Sequence, residues 1–287
     1  MPTPRPTPMF AFARFVLVLD LIAVVGAGIQ LYLLSERTDE LFAWTIKAPV
    51  TAAFLGAGYW SSIPIVLIAL RAREWREART LVVMGLAITG FTTLATFLHL
   101  DLFHFGSGPF TAQASAWTWL IVYIAIPPML LAAFAIGERR GGRHEYEVTA
   151  PLRPWVRWGL LAFALPLSVL GLGLAFLPGS FSDAWPWPLT PLTAGAVAAW
   201  LLTIALGCWW SLRESDWRRV RVAFPGYLTF AALALIGAAR YSEALDGGAR
   251  TWSYLVALAA LLLFSAVAWL QHEREPRLEP APPTIPA

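Results

Sequence analysis

One stretch of this chain is written twice. Ala48-Pro49-Val50-Thr51-Ala52 aligns with Thr190-Pro191-Leu192-Thr193-Ala194, and Arg71, Glu74-Trp75-Arg76 and Arg79 align with Arg213, Asp216-Trp217-Arg218 and Arg221, at a constant offset of 142 (191 − 49 = 213 − 71 = 221 − 79). Between the marks each copy holds an apolar run of about twenty residues, the length at which a helix crosses hydrocarbon. Such a chain reads as a duplicated membrane domain.

Composition agrees. With 58% hydrophobic residues, 14% charged residues and a mean hydropathy of +0.61, there is too little polar surface to coat a soluble globule of 287 residues. Eight apolar segments of spanning length are drawn at 12–34, 50–70, 81–103, 116–136, 158–177, 190–212, 222–240 and 252–270. The expected fold is an all-α integral membrane protein of eight transmembrane helices. The Pro-rich start precedes an apolar run too long for a signal-peptide core, so that run is expected to stay as the first span.

Basic residues orient the spans. Of 20 arginines and one lysine, 17 fall in one alternating set of connections and four (Arg37, Lys47, Arg240 and Arg250) in the other. The positive-inside rule then makes both termini cytoplasmic and turns 35–49, 104–115, 178–189 and 241–251 outward. Four spans per copy is an even number, so both copies enter the membrane the same way, as parallel repeats. The expected layout is a disordered Pro-rich N-terminus at 1–11, a first four-helix repeat at 12–136, a cytoplasmic linker at 137–157, a second repeat at 158–270 and a disordered tail at 271–287. Small residues at four-residue spacing (Ala52 and Gly56, Ala194 and Ala198) place the second and sixth helices at the centre. Trp44, Trp117, Trp119, Trp185, Trp187, Trp252 and Tyr254 fall at outer ends and read as an interfacial belt.

The stretch Phe42 to Ala57 (Phe-Ala-Trp-Thr-Ile-Lys-Ala-Pro-Val-Thr-Ala-Ala-Phe-Leu-Gly-Ala) resembles a signature of bacterial multi-pass inner-membrane proteins of uncharacterised activity. The resemblance implies a bacterial cytoplasmic membrane and carries over no functional residue.

Features common to both copies serve the shared fold, whereas polar features of one copy are candidates for function. Arg71, Trp75, Arg76 and Arg79, with Arg213, Trp217, Arg218 and Arg221, therefore read as loop anchors at the anionic surface, the alternatives being a docking patch for a protein partner or a phosphate site. Only the first copy carries Thr89, Thr92, Thr93, Thr96 and His99, which line one face of the third span; the positions 142 later hold Ala231, Ala234, Leu235, Ala238 and Tyr241. Such threonines either bond back to their own helix or line a path for a solute or ion. The stripe runs into His99, Asp101 and His104, which on a continuous helix point about 200° and 140° away from His99. A divalent metal there requires the helix to end and His104 to fold back. Asp101 and Glu243 recur at one depth and would either attract cations or be neutralised as ion pairs by Arg240 and Lys47.

Asp20 lies inside the first apolar run, where a carboxylate must face the bundle, either paired with Arg14 or serving a ligand. Pro64 and Pro127-Pro128 mark helix breaks in the first copy. The single cysteine, Cys208, excludes a disulfide or a thiolate cage. The histidines do not face one another from two helices, so haem is not expected; nor is nucleic acid, because the arginines sit in short loops. The leading expectation is a transporter or channel-like protein for a small solute or ion, using Asp20, Thr89, Thr92, Thr93, Thr96, His99, Asp101 and Glu243. A membrane-embedded metal-assisted enzyme on His99, Asp101 and His104, and a non-catalytic anchor for a partner protein, are the alternatives.

Overall fold

The computed structural model describes residues 7–141 and 148–273. The start of the expected N-terminal segment (1–6), the middle of the expected linker (142–147) and most of the expected tail (274–287) lie outside them. Among the described residues, eight helices are long and apolar enough to span a membrane: α1 (Ala11–Leu33), α2 (Pro49–Arg71), α3 (Trp75–Leu98), α4 (Phe110–Gly141), α5 (Pro154–Phe176), α6 (Pro191–Glu214), α7 (Ala223–Arg240) and α8 (Ala249–Glu273). The chain is a multi-pass, all-helical membrane protein. Its helix starts follow local chemistry. Proline occupies the first turn of α2, α5 and α6, where its missing N–H has no helical partner to lose.

Several limits differ from expectation, α4 for one running over Phe110–Gly141 rather than 116–136 and so into the start of the expected linker. The third helix runs from Trp75 to Leu98 rather than 81–103, because Glu74 and Glu77 close a capping box that starts it inside the charged loop. The segment expected to be disordered through residue 11 is in part tied down. Met9 N–H donates to Arg73 O at 2.9 Å and Trp75 N–H to Thr7 O at 2.9 Å, with Met9 and Phe10 buried. At the far side of the same end, Leu152 N–H donates to Ser215 O at 3.1 Å and Trp217 N–H to Ala150 O at 2.7 Å.

Helices α2, α3, α6 and α7 form the centre, with α6 the most buried, while α1, α4, α5 and α8 are peripheral. Helix α2 packs against α1 and α7, α6 against α5 and α3, and α2 meets α6. Helices α3 with α4, and α7 with α8, complete the layers. Small residues set these crossings. A Cβ at Gly58 would lie 2.4 Å from the Trp200 ring, Gly195 sits against Ala95, and Gly237 against Ala53.

The tightest backbone approach joins α1 to α2. A Cβ at Gly56 would come 2.6 Å from Tyr32 N and 2.9 Å from Leu31 C, in the final turn of α1, which is wound as a π-helix over Ile29–Leu33. Backbone cannot swing aside as a side chain can. Gly56→Ala is expected to lower stability by about 1–3 kcal/mol, the usual cost of overpacking. Gly90→Ala, which meets open space, should be neutral or stabilising by up to about 1 kcal/mol. Thermal unfolding in detergent compares the two, and equal midpoints would contradict this packing.

The aromatic belt expectation needs correction. Trp117 and Trp252 are exposed, but Trp44, Trp119, Trp185 and Trp187 are each less than 10% exposed. They build the core instead. Trp44 meets Trp119 edge-on at 4.9 Å, and Trp185 meets Trp187 at 5.1 Å, while Trp187 Nε1 donates to Thr51 Oγ1 at 2.7 Å. The expected helix breaks do not occur: α2 runs through Pro64 and α4 through Pro127 and Pro128, as α5 does through Pro166.

Candidate functional site: an intramembrane crevice

Helices α1 and α4 pack closely over one half of their length and part over the other. Near the arginine-rich end Ala13, Val16 and Leu17 of α1 and Leu130 and Ala133 of α4 join one buried cluster. Further along, small residues stand on both sides of the gap: Ala23, Gly26 and Ala27 on α1, and Ala114, Thr118 and Ala125 on α4. A Cβ at Gly26 would meet nothing within 4 Å. Small side chains on both walls leave a crevice of about 860 Å³, a size typical of small-molecule sites. Its rim includes Ile22, Ile121 and Phe110, which are 66%, 64% and 83% exposed on the outer surface of the bundle. The crevice therefore opens sideways.

Its back wall carries Tyr59 and Ser62 of α2, Met84 and Thr89 of α3, Trp200 and Thr203 of α6, and Tyr227 of α7. Asp20 is the only acidic or basic residue among the lining residues. Its carboxyl makes no hydrogen bond or ion pair among the described residues. The pairing with Arg14 does not form, since Arg14 Nη2 donates to Ala72 O at 3.3 Å. One end of the crevice is closed by polar contacts. Gln30 Nε2 donates to Leu41 O at 2.8 Å, Ser115 Oγ to Gln30 Oε1 at 3.3 Å, and Thr111 Oγ1 to Glu40 O at 2.6 Å.

Tyr59 and Tyr123 share a hydrogen bond of 2.5 Å between hydroxyls that border the crevice. Both rings are buried, 7% and 5% exposed. Removing the Tyr123 hydroxyl strands that of Tyr59 in an apolar setting. Tyr123→Phe is expected to cost about 1–3 kcal/mol, and the double variant Tyr59→Phe/Tyr123→Phe to recover most of it, since the stranded Tyr59 hydroxyl is then gone as well. Unfolding midpoints of the single and double variants test this; additive losses would mean that the two hydroxyls do not depend on each other.

Of the residues expected along a solute path, the crevice gathers Asp20 and Thr89 and leaves the others outside its lining. Thr89 Oγ1 donates to Gly85 O at 2.7 Å, and Thr93 Oγ1 to Thr89 O at 2.6 Å and Tyr123 O at 3.0 Å. Thr92 reaches the Tyr123 hydroxyl, and Thr96 Oγ1 accepts from Trp119 Nε1 at 3.0 Å. The threonine face thus ties α3 to itself and to α4. His99 follows the end of α3, its Nδ1 on Ala95 O at 3.0 Å. Asp101 and Glu243 are exposed.

His104 does fold back, but onto backbone. Its Nδ1 donates to Phe42 O at 3.0 Å, leaving Nε2 to accept from Thr45 Oγ1 at 3.1 Å. Among the described residues, no three His, Cys, Asp or Glu side chains are grouped to hold a metal. Asp246 closes the start of α8. Thr251 Oγ1 donates to its Oδ1 at 2.6 Å, and Gly248 N–H to the same oxygen at 3.0 Å. These bonds, and Arg250 beside them, hold its carboxyl below the ordinary value.

The expected anchor residues divide. Trp75 and Trp217 are buried, their Nε1 groups donating to Glu138 at 3.1 Å and Glu273 at 3.4 Å. Arg79 pairs with Glu138 at 2.9 Å and Glu214 at 3.3 Å, Arg221 pairs with Glu273 at 3.3 Å, and Arg76 lies against Glu74. Arg71, Arg213 and Arg218 are exposed.

The sequence reading missed Tyr59, Tyr123, Trp200 and Tyr227 as parts of one wall. A mid-span tyrosine is a usable signal, because its hydroxyl needs a partner in apolar surroundings. Compared with known proteins, the chain matches no family model, no curated protein and no solved structure.

Proposed function

We propose that this protein is a transporter or channel-like protein of the bacterial inner membrane that takes a small amphipathic cation from the lipid phase into the crevice between α1 and α4. The observation that carries this reading is Asp20, a carboxylate without a hydrogen bond or ion pair among the described residues, in a crevice whose other described lining residues are uncharged and which opens sideways. Burying a carboxyl at membrane depth is unfavourable, and a bound cation is a natural counter-charge. The apolar lining and the aromatic ring of Trp200 suit an organic body better than a bare metal ion.

The arginine-rich end is placed in the cytoplasm on the charge asymmetry of 17 against four. The chain is read as two parallel four-helix repeats. Supporting this, the bonds Met9 to Arg73 and Trp75 to Thr7 have counterparts, 142 or 143 residues later, in Leu152 to Ser215 and Trp217 to Ala150. His104 N–H to Ala43 O and Asp246 N–H to Pro186 O form a third such pair. The metal-assisted enzyme draws less support, since the ring nitrogens of His104 are both engaged. So does the anchor, since Trp75 and Trp217 are buried.

The test is flux across proteoliposomes that hold the full chain. Ethidium, an aromatic cation, should move faster than through protein-free vesicles and saturate, while anionic carboxyfluorescein should not. Equal flux of both probes, or no flux above empty vesicles, would overturn the proposal.

A further inference from the structure

The arginine-rich end contains two corresponding places, and they differ at three positions. In the first, Glu214 stands between Arg79 and Arg219, 3.3 Å from each, while Arg79 and Arg213 lie over the Trp210 ring at 5.1 and 4.9 Å. All three ionic side chains are under 15% exposed. A carboxylate from the chain itself fills that place. In the second, every position is shifted back by 142 on one side and forward by 142 on the other: Ala72 stands for Glu214, Ile68 for Trp210, Arg71 for Arg213, Glu77 for Arg219, and Arg221 for Arg79. No carboxylate stands at position 72. A pocket of about 570 Å³ opens there, lined by Arg71, Ala72, Arg73, Glu77, Arg221 and Trp269 among others.

The charges around the pocket leave it receptive to an anion. Glu77 is turned to its own helix start, its Oε2 accepting from Arg73 N at 3.0 Å and Glu74 N at 3.4 Å. Arg221 shares Glu273 at 3.3 Å. Arg71 makes one bond, to Leu67 O at 3.3 Å, and the Arg73 guanidinium has no ion pair among the described residues. Both of these arginines are exposed. The apolar side of the pocket, Ile68 and Val222, continues onto helices that span the membrane, and Trp269 is half-buried at its edge. Guanidinium forks match the paired oxygens of a phosphoryl group, and basic pockets between membrane helices suit anionic headgroups.

We infer that this pocket binds a phosphoryl group, supplied by the headgroup of an anionic phospholipid or by free inorganic phosphate. The inference does not depend on the transport reading, and Asp20→Asn should leave it untouched.

The experiment uses the full chain in phosphatidylcholine nanodiscs doped with phosphatidylglycerol, with retained lipid counted by native mass spectrometry. Parallel detergent samples receive inorganic phosphate alone. Wild type should retain phosphatidylglycerol above the phosphatidylcholine background, with retention falling about tenfold in Arg71→Gln/Arg73→Gln. Ala72→Glu should have the same effect by placing a carboxylate where Glu214 stands in the other copy. Arg139→Gln, which removes an exposed charge elsewhere on the same end, should change retention less than about twofold. A phosphate adduct with the same variant pattern and no lipid retention would keep the site and assign it to free phosphate. Neither ligand retained, or equal loss in Arg139→Gln, would overturn the inference. If the double variant does not stay folded, Ala72→Glu decides.

Discussion

Glu214→Ala is expected to lower the stability of the folded protein by about 3–5 kcal/mol, the largest loss expected from any single ionic residue here. Its carboxylate serves Arg79 and Arg219 at once, at 3.3 Å each, with the three side chains 6%, 14% and 8% exposed. Removing it leaves two guanidiniums close together in a place water barely reaches, of which Arg79 still has Glu138 at 2.9 Å. Breaking a buried pair costs far more than the pair contributes relative to an apolar substitute, because the remaining charge is stranded. Glu273→Gln is the comparison. Its partner Arg221 and Glu273 itself are each 32% exposed, so the loss there should be about 1 kcal/mol or less. Thermal or chemical unfolding of both variants in one detergent makes the comparison, and similar losses would show that the Glu214 network is no more buried in effect than a surface pair.

Asp20→Asn is expected to reduce cation flux by about ten- to a hundredfold, because a charge-assisted hydrogen bond contributes roughly 1.5–3 kcal/mol. Stability should move the other way. A carboxyl with no hydrogen bond or ion pair inside a spanning helix is held there at a loss. Asp20→Leu is accordingly expected to raise stability by about 1–3 kcal/mol. Gain of stability with loss of flux is the signature of a residue kept for its ligand. If Asp20→Leu instead destabilises the protein, the carboxyl has a structural role and the crevice loses its reason to select cations.

Much of the helix layout is legible in the sequence because a spanning helix must be apolar along its whole length. Starts and stops are harder. The third helix begins at Trp75 because Glu74 and Glu77 cap it, whereas a hydropathy reading takes those charges for loop. Trp44, Trp119, Trp185 and Trp187 are core residues that look interfacial by position, because amphipathic rings suit both an interface and a packed core. Trp187 reaches the core by donating to Thr51, 136 residues away in the chain, and no local pattern signals that.

The crevice is illegible for another reason: it is made of missing volume. Ala23, Gly26, Ala114 and Ala125 are unremarkable singly, and only the joint placement of α1 and α4 makes them a gap. Asp20 was visible as an anomaly, but not its company. Tyr59 and Tyr123 meet across 64 residues. Thr93 and Thr96 turned to helix α4 and its indole because those partners were within reach. The open place at Ala72 is readable only beside Glu214, the carboxylate found 142 positions later.

The central claim is that the crevice between α1 and α4 receives the ligand, and filling it is the most direct test. Ala125 lines it from α4, so Ala125→Trp should occupy the space while leaving Asp20 in place. Ethidium fluorescence titrated against the full chain in nanodiscs should give a saturable isotherm for the wild type and none for Ala125→Trp, provided both unfold at similar temperatures. The same isotherm in both proteins would mean that the cation binds elsewhere or that the crevice is not a site.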